Sequence, residues 1–405
     1  MRLHRPLTYG VTSALRQIFE EGRYADKVIA QLLKANRKWG SRDRAFVASS
    51  VYDIVRWWRL LWNLAFEKDP PAPPFKEERL LRLLGVKLLL EGHSLPDWKE
   101  FAGLSADNIL LSKEALGFRT AVIQSIPDWL DQLGRQELGE KWEAELPALN
   151  ETAELVIRTN TLLTNRETLL KELEKDGWQP RPGTVSDDAI ILGKRGNIFR
   201  HPLFLKGYFE VQDEGSQLIA KMLAPEPGMR VVDACAGAGG KALHLASLMQ
   251  NKGTLIAMDT EAWKLDELKR RAKRNKVHII QSRPIESSKS IKRLTETADR
   301  LLLDVPCSGL GVLRRNPDAK WKLSPEFVEG IKNTQAEILS SYSRMLKPGG
   351  RMVYATCSIL PSENEGQVQR FLQDHHNFKL LSSKHLLPSE HGTDGFFMAL
   401  LEKSA

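Results

Sequence analysis

Apolar positions recur along this chain with two different periods, and the change divides it. Up to about residue 148 the spacing is helical: Leu15, Ile18 and Phe19; Val28, Ile29, Leu32 and Leu33; then Phe46, Val47, Val51, Ile54 and Val55. Ser41 is placed to cap the third run, and Asp69-Pro-Pro-Ala-Pro-Pro74 cannot continue a helix and reads as a loop. A further helix is expected from Glu77 to Glu91, and another at Pro127, where proline suits a first turn. Seven of the ten tryptophans precede residue 143, which fits the packing of a helical bundle better than the stacking of bases.

Past Thr152 the period shortens. Leu155 to Asn160 and Ala189 to Leu192 read as strands, Asn165 to Lys175 as an amphipathic helix ended by Gly177, and Gly207 to Gln212 alternates as an exposed strand does. From residue 214 on, five short apolar runs alternate with helical stretches: Arg230 to Ala234, Thr254 to Asp259, Val277 to Ile280, Arg300 to Asp304 and Gly350 to Thr356. That alternation specifies an α/β domain with a mostly parallel, doubly wound sheet, closed by an antiparallel strand at Asp394 to Leu401. Three domains are therefore expected: all-α over 1–148, a small α/β insert over 149–213, and the doubly wound domain over 214–405.

Composition excludes several classes. With 42% hydrophobic and 27% charged residues among 405, the chain is ordinary globular protein. Its longest apolar run, Leu80 to Leu90, is broken by Arg82, Gly85 and Lys87, so no membrane span is expected. The opening Met1-Arg-Leu-His-Arg-Pro6 lacks the apolar centre of a secretory signal, and a cytoplasmic location is expected. Net charge is +8 and uneven: residues 263–293 hold eleven Lys/Arg against three acids, and residues 1–68 thirteen against six. Such stretches are either solvated helix faces or sites for a polyanion. The nine histidines are scattered, with only His375 and His376 adjacent, so no metal site is expected.

Candidate chemistry gathers at strand ends, where open α/β sheets bind ligands. The first sheet strand runs into Asp233-Ala-Cys-Ala-Gly-Ala-Gly-Gly-Lys241, a glycine-rich turn that opens a helix. Asp259 follows at the end of the second strand, suited to a ribose diol; a dinucleotide and S-adenosylmethionine both fit these two features. Three cysteines rule out a disulfide scaffold. Two of them, in Asp304-Val-Pro-Cys307-Ser-Gly and Ala355-Thr-Cys357-Ser, end neighbouring strands and should face the same crevice as the turn. Cys235 lies in the turn itself, where backbone contact with a cofactor is expected rather than thiol chemistry.

These three motifs resemble those of the RNA cytosine-5 methyltransferases of the Sun/Fmu (RsmB) family. The likeness continues through Val211-Gln-Asp-Glu-Gly-Ser-Gln217, Arg314-Arg-Asn-Pro-Asp318, Pro361-Ser-Glu-Asn364 and Asp394-Gly-Phe-Phe397, over roughly residues 150–402. The helical front resembles the family's NusB-like RNA-binding domain in length and helix content. The resemblance implies a Rossmann-like methyltransferase domain with S-adenosylmethionine as cofactor and RNA as partner, 16S ribosomal RNA before transfer RNA. A monomer is expected.

The resemblance also assigns roles. Cytosine C5 is too weak a nucleophile to take a methyl group until a thiolate adds to C6. That thiolate carries over to Cys357, the thiol that helps release the product to Cys307, and the acid facing the base's N3 edge to Asp304. Lys241 would favour the thiolate of Cys357. Cofactor contacts carry over to Cys235, Ala236, Gly237, Ala238, Gly239, Gly240, Lys241, Asp259 and Asp304. In place of the usual third-strand acid stands Gln281 or Ser282, and the Gln281 amide could reach an adenine. Gly237-Ala238 replaces the usual Ala-Pro pair, so a looser turn is expected, and Val305 replaces the more usual alanine. A different class, a non-catalytic RNA-binding assembly factor, gives no reason for two thiols; a nicotinamide dehydrogenase gives none either.

Overall fold

The computed structural model describes residues 3–194 and 196–405. Two compact units emerge, one of residues up to Asn150 with Leu313–Ser324, the other of Glu151–Val312 with Pro325–Ala405.

The first unit is helical. Its longer helices are Arg5–Phe19, Ala25–Ala35, Ser41–Arg56, Trp58–Phe66, Glu77–Leu90, Ala106–Ala115, Asp128–Leu138 and Lys141–Asn150. The first two are separated at Glu20–Tyr24, where Gly22 takes φ +67°. Gly40, not Ser41, is the N-cap of the third, and the Asp43 carboxylate accepts its amide at 3.3 Å. Pro127 likewise sits one residue earlier than expected, as the N-cap of Asp128–Leu138. Trp58, Trp62 and Trp142 are buried, and Phe19 stacks on Trp58 with ring centroids 3.8 Å apart. All seven early tryptophans are buried or half-buried, as expected of core residues.

Residues 313–324 are embedded among these helices. Trp321 Nε1 donates to the Val55 carbonyl at 2.7 Å, and Arg56 Nη2 to the Arg314 carbonyl at 3.0 Å. Asp318 accepts the amide of Ala25, the first residue of its helix, at 3.1 Å, and so caps that helix from a distant part of the chain. Lys320 is 1% exposed and donates to Asn150 Oδ1 at 2.9 Å; burial pushes its ammonium well below the usual lysine range.

The second unit holds two sheets. The smaller has strands β1 (Leu155–Thr159), β2 (Pro180–Pro182), β3 (Ala189–Leu192) and β4 (Phe209–Val211), ordered β2-β3-β1-β4 and antiparallel throughout. The helix Arg166–Lys175, capped by the Asn165 side chain on the Thr168 amide, packs Leu169 and Leu173 against Ile157, Ile190 and Phe209. Strand β2 escaped the sequence pattern because two of its three residues are prolines, which an edge strand tolerates.

The larger sheet has seven strands: β5 (Arg230–Asp233), β6 (Thr254–Asp259), β7 (Ile280–Pro284), β8 (Ala298–Asp304), β9 (Leu346–Thr356), β10 (Phe378–Leu386) and β11 (Phe396–Lys403). Their order is β10-β11-β9-β8-β5-β6-β7. Strands β5 to β9 are parallel, β11 runs antiparallel to β9, and β10 antiparallel to β11. The expected doubly wound α/β sheet is therefore present. Strand β7 begins three residues later than expected, because Lys276 takes φ +59° and the Val277 amide donates back to Ala272, finishing the preceding helix. Strand β10 was not anticipated: its middle residues are exposed on both faces, so no alternation marks it.

Both sheets meet within this unit. Asn160, just past β1, donates to the Gly207 carbonyl at 2.8 Å and to the Asn275 carbonyl at 3.0 Å. Among the described residues no helix is long and apolar enough to cross a membrane, and no cluster of three metal-ligating side chains occurs.

Candidate active site

The glycine-rich turn sits between β5 and the helix Gly240–Leu248. Gly239 takes φ +88°, and a Cβ there would lie 1.9 Å from Leu268 Cδ1, so packing and backbone both demand glycine. Gly237 takes φ +54° and faces open space. Its amide donates to Asp259 Oδ2 at 2.9 Å, while Asp259 Oδ1 accepts the Glu261 amide at 2.8 Å. The turn is also gripped at its carbonyls, Ala238 by Arg271 Nη1 at 2.8 Å and Gly240 by Arg158 Nη1 at 2.8 Å. The looseness expected without proline is offset by these charged donors. Arg158 is buried, and burial lowers its guanidinium to about 10.

The helix beyond the turn has no side-chain N-cap, which leaves first-turn amides for a ligand. Below it lies Asp233, fully buried, with neither carboxylate oxygen at good hydrogen-bonding geometry to a partner. Burial and the Asp304 carboxylate push Asp233 up to about 7, against the pull of Lys241. An orphaned buried carboxyl, an open glycine and an uncapped helix start fit S-adenosylmethionine, with its cationic amino-acid end and its ribose. Ala236 is buried, its amide donating to the Met258 carbonyl at 2.8 Å, and the Cys235 thiol is pushed up chiefly by burial. Gln281 is the candidate the structure does not bring here. It pairs in register with Ile256, three residues before Asp259 along the strands, is exposed, and accepts from Arg283 at 3.0 Å. Pro284 stands level with Asp259 instead, because β7 starts late.

The two other cysteines converge. Asp304 pairs in register with Ala355, so the segments that follow β8 and β9 leave the sheet side by side. Cys307 Sγ lies 3.2 Å from Cys357 Sγ and accepts the Cys357 amide at 3.3 Å. Across from them Lys241 Nζ bridges to Asp304 Oδ2 at 2.5 Å. Burial opposes the charge on Lys241, but Asp304 and Cys357 outweigh it and raise the ammonium above its ordinary value. The Cys307 thiol is pushed well above the ordinary cysteine range by its hydrogen bond to Cys357, by burial, by the charge of Cys357 and, less, by that of Glu363. Gly311 locks the arrangement from behind, donating to the Cys357 carbonyl at 2.9 Å. Arg158, Arg271, Gly311 and Glu363 carry no signal in the sequence pattern, since each acts through a contact with a distant segment.

Comparison with known proteins agrees with this geometry. Residues 220–402 match the family described as 16S rRNA methyltransferase RsmB/F, and residues 126–199 the ferredoxin-like domain of RsmF/B-like methyltransferases. A Synechocystis protein named "Probable ribosomal RNA small subunit methyltransferase B" is 35% identical over 69% of this chain and 67% of its own length. The ribosomal RNA small subunit methyltransferase B of Shewanella oneidensis is 35% identical over 85% of this chain and 80% of its own. The crystal structure of a protein called PH0851 superposes with a TM-score of 0.83 at 26% identity, covering all of both chains. The chain belongs to the RsmB/F family of RNA methyltransferases, which take their methyl group from S-adenosylmethionine.

Proposed function

We propose that this methyltransferase acts on C5 of a cytosine in RNA, namely 16S ribosomal RNA, through a covalent bond between Cys357 and C6 of the base. The observation that carries the reading is the pair of sulfurs 3.2 Å apart at the ends of adjacent parallel strands, facing a Lys241–Asp304 ion pair.

Bound S-adenosylmethionine supplies an electrophilic methyl group, and the turn 235–241 with Asp259 would hold it. The chain's own residues do the rest. Cys357 adds as thiolate to C6, which moves the C5–C6 electron pair onto C5. Asp304, held by Lys241, would accept from the amino edge of the base, and the proton that N3 takes up as charge develops there would come from the Lys241 ammonium through Asp304. After C5 gains its methyl group, Cys307 would take the C5 proton while handing its own to the departing Cys357 sulfur, as the C6–sulfur bond breaks and aromaticity returns.

The target base must leave its stack, so a loop or an unfolded RNA is the form recognised. Two adjoining grooves on the second unit suit its phosphates: they share Lys273 and Lys276, and add Lys206, Arg274 and His278. No acidic side chain lines either groove among the described residues.

Cys357→Ala is expected to abolish methyl transfer, whereas Cys307→Ala should accumulate a protein–RNA adduct stable on denaturing gels. Exchanged phenotypes overturn the assignment of the two thiols. Bisulfite sequencing of ribosomal and transfer RNA from a strain lacking the gene identifies the substrate: a lost mark in transfer RNA overturns the 16S choice, and no lost mark overturns the activity.

A further inference from the structure

Behind the two thiols lies a carboxylate that the methyl-transfer steps do not use. Glu363 is fully buried and closes the single turn Pro361–Glu363 after β9. Its Oε1 accepts the hydroxyls of Ser308 and Ser358, each at 2.5 Å. Its Oε2 accepts the Ser308 amide at 2.8 Å and Gln335 Nε2 at 2.9 Å. Four donors fill the lone-pair directions of its two oxygens. Ser308 directly follows Cys307 and Ser358 directly follows Cys357, so one side chain joins both thiol-bearing segments one residue from the sulfur.

The neighbours of this carboxylate serve the same two segments. Gln335 also donates to the Pro306 carbonyl at 3.0 Å, and Asn364 Nδ2 to the Ser358 carbonyl at 3.0 Å. Thr356 Oγ1 donates to Asn364 Oδ1 at 2.5 Å, and the Tyr354 hydroxyl to the Glu363 carbonyl at 2.7 Å. A sheet fixes its strands, but segments beyond strand ends need their own restraint.

We propose that Glu363 is the positioning residue of the two-thiol site: by clasping Ser308 and Ser358 it sets the separation of Cys307 and Cys357 and makes the two thiols chemically unequal. The inference rests on the roles given above to those cysteines. Glu363 accepts from Ser308, the residue after Cys307. Its charge adds to the hydrogen bond with Cys357, to burial and to the charge of Cys357 in disfavouring an anion on Cys307, whereas the Lys241 ammonium interacts with Cys357. Cys307 is thereby kept as a thiol that can pass a proton, not as a rival nucleophile.

The test uses the full chain as wild type, Glu363→Gln, Glu363→Ala and the double variant Ser308→Ala/Ser358→Ala. Glutamine keeps the size and can bond all four donors if the two hydroxyls turn to accept, so it removes charge and leaves shape. Two readouts need no RNA: the rate at which diamide oxidises Cys307 and Cys357 to a disulfide, and the pH midpoint of Cys307 alkylation by iodoacetamide, both followed by mass spectrometry. Glu363→Gln is expected to form the disulfide within about twofold of the wild-type rate while its alkylation midpoint falls by about one pH unit. Glu363→Ala and the double serine variant should form the disulfide about tenfold more slowly, because the sulfurs no longer meet. Unchanged disulfide rates in the double serine variant, or an unchanged midpoint in Glu363→Gln, overturn the proposal even if Glu363→Ala does not fold. Should both thiol readouts behave as expected while no cytosine is methylated, the clasp stands and the proposed reaction falls.

Discussion

Arg271, on the helix Ala262–Arg274, donates from Nη1 to the Ala238 carbonyl at 2.8 Å and from Nη2 to Glu210 at 2.9 Å. A side chain from outside the glycine-rich turn thus braces it at Ala238, the position that stands in place of proline in the motif the sequence resembles. Proline stiffens a turn by fixing its own φ; here a charged donor restrains the carbonyl instead. Arg271→Leu is expected to weaken S-adenosylmethionine binding about tenfold, the worth of one charge-assisted hydrogen bond. Titration calorimetry checks this, and unchanged affinity would mean that the brace does not shape the cofactor site.

Gly311 carries a second prediction. Its carbonyl accepts the Gly395 amide at 2.7 Å, and a Cβ at position 311 would lie 2.2 Å from the Gly395 oxygen and 2.8 Å from the Cys357 oxygen. Backbone on both sides cannot yield cheaply. Gly311→Ala should displace the Cys357 segment and cut methyl transfer about a hundredfold, as misplacement by an ångström does. The measurement is single-turnover transfer at saturating RNA and methyl donor.

Asp233 makes stability depend on pH. Its folded-state value of about 7 lies above the ordinary aspartate value of 3.8, so folding takes up a proton between them. The stabilising protonated form is fully present below about pH 4 and lost as pH rises through about 7. Asp233→Asn should remove that loss and leave the variant more stable than wild type at pH 8, by at most about 4 kcal/mol. Thermal unfolding of both proteins from pH 5 to pH 8 tests the sign: parallel curves would show that Asp233 is not protonated on folding.

The basic grooves predict a salt signature. Lys206, Lys273 and Lys276 are exposed, and reversing all three to glutamate should weaken RNA binding across sequences. The slope of log affinity against log salt should fall by about 2, the loss of roughly three phosphate contacts to single-stranded RNA. An unchanged slope in filter binding at several salt concentrations would place the RNA elsewhere.

Legibility in the sequence followed the range of each interaction. Cys307 and Cys357 are fifty residues apart, yet their convergence was readable because each ends an apolar run and parallel strands end at one edge. The glycine turn was readable for the same reason. Gln281 misled because the helix before β7 takes up Val277, a shift of three residues that moves the strand end to Pro284. Strand β10 lacked any alternation to detect. Glu363 looked like one more acid in a short motif; its partners come from three segments, 308, 335 and 358, and no period connects them.

The excursion of residues 313–324 bears on how this protein can be taken apart. The chain leaves the seven-stranded unit after Val312, buries Lys320 among the helices, and returns at Pro325. Cutting before Glu151 would therefore not yield a clean catalytic fragment: it would strip Trp321, Asp318 and Lys320 of Val55, Ala25 and Asn150 while they remained tethered a few residues beyond Val312. The helical front is consequently not a detachable accessory, and deletion, fusion or domain exchange at residue 150 breaks one folded unit rather than separating two.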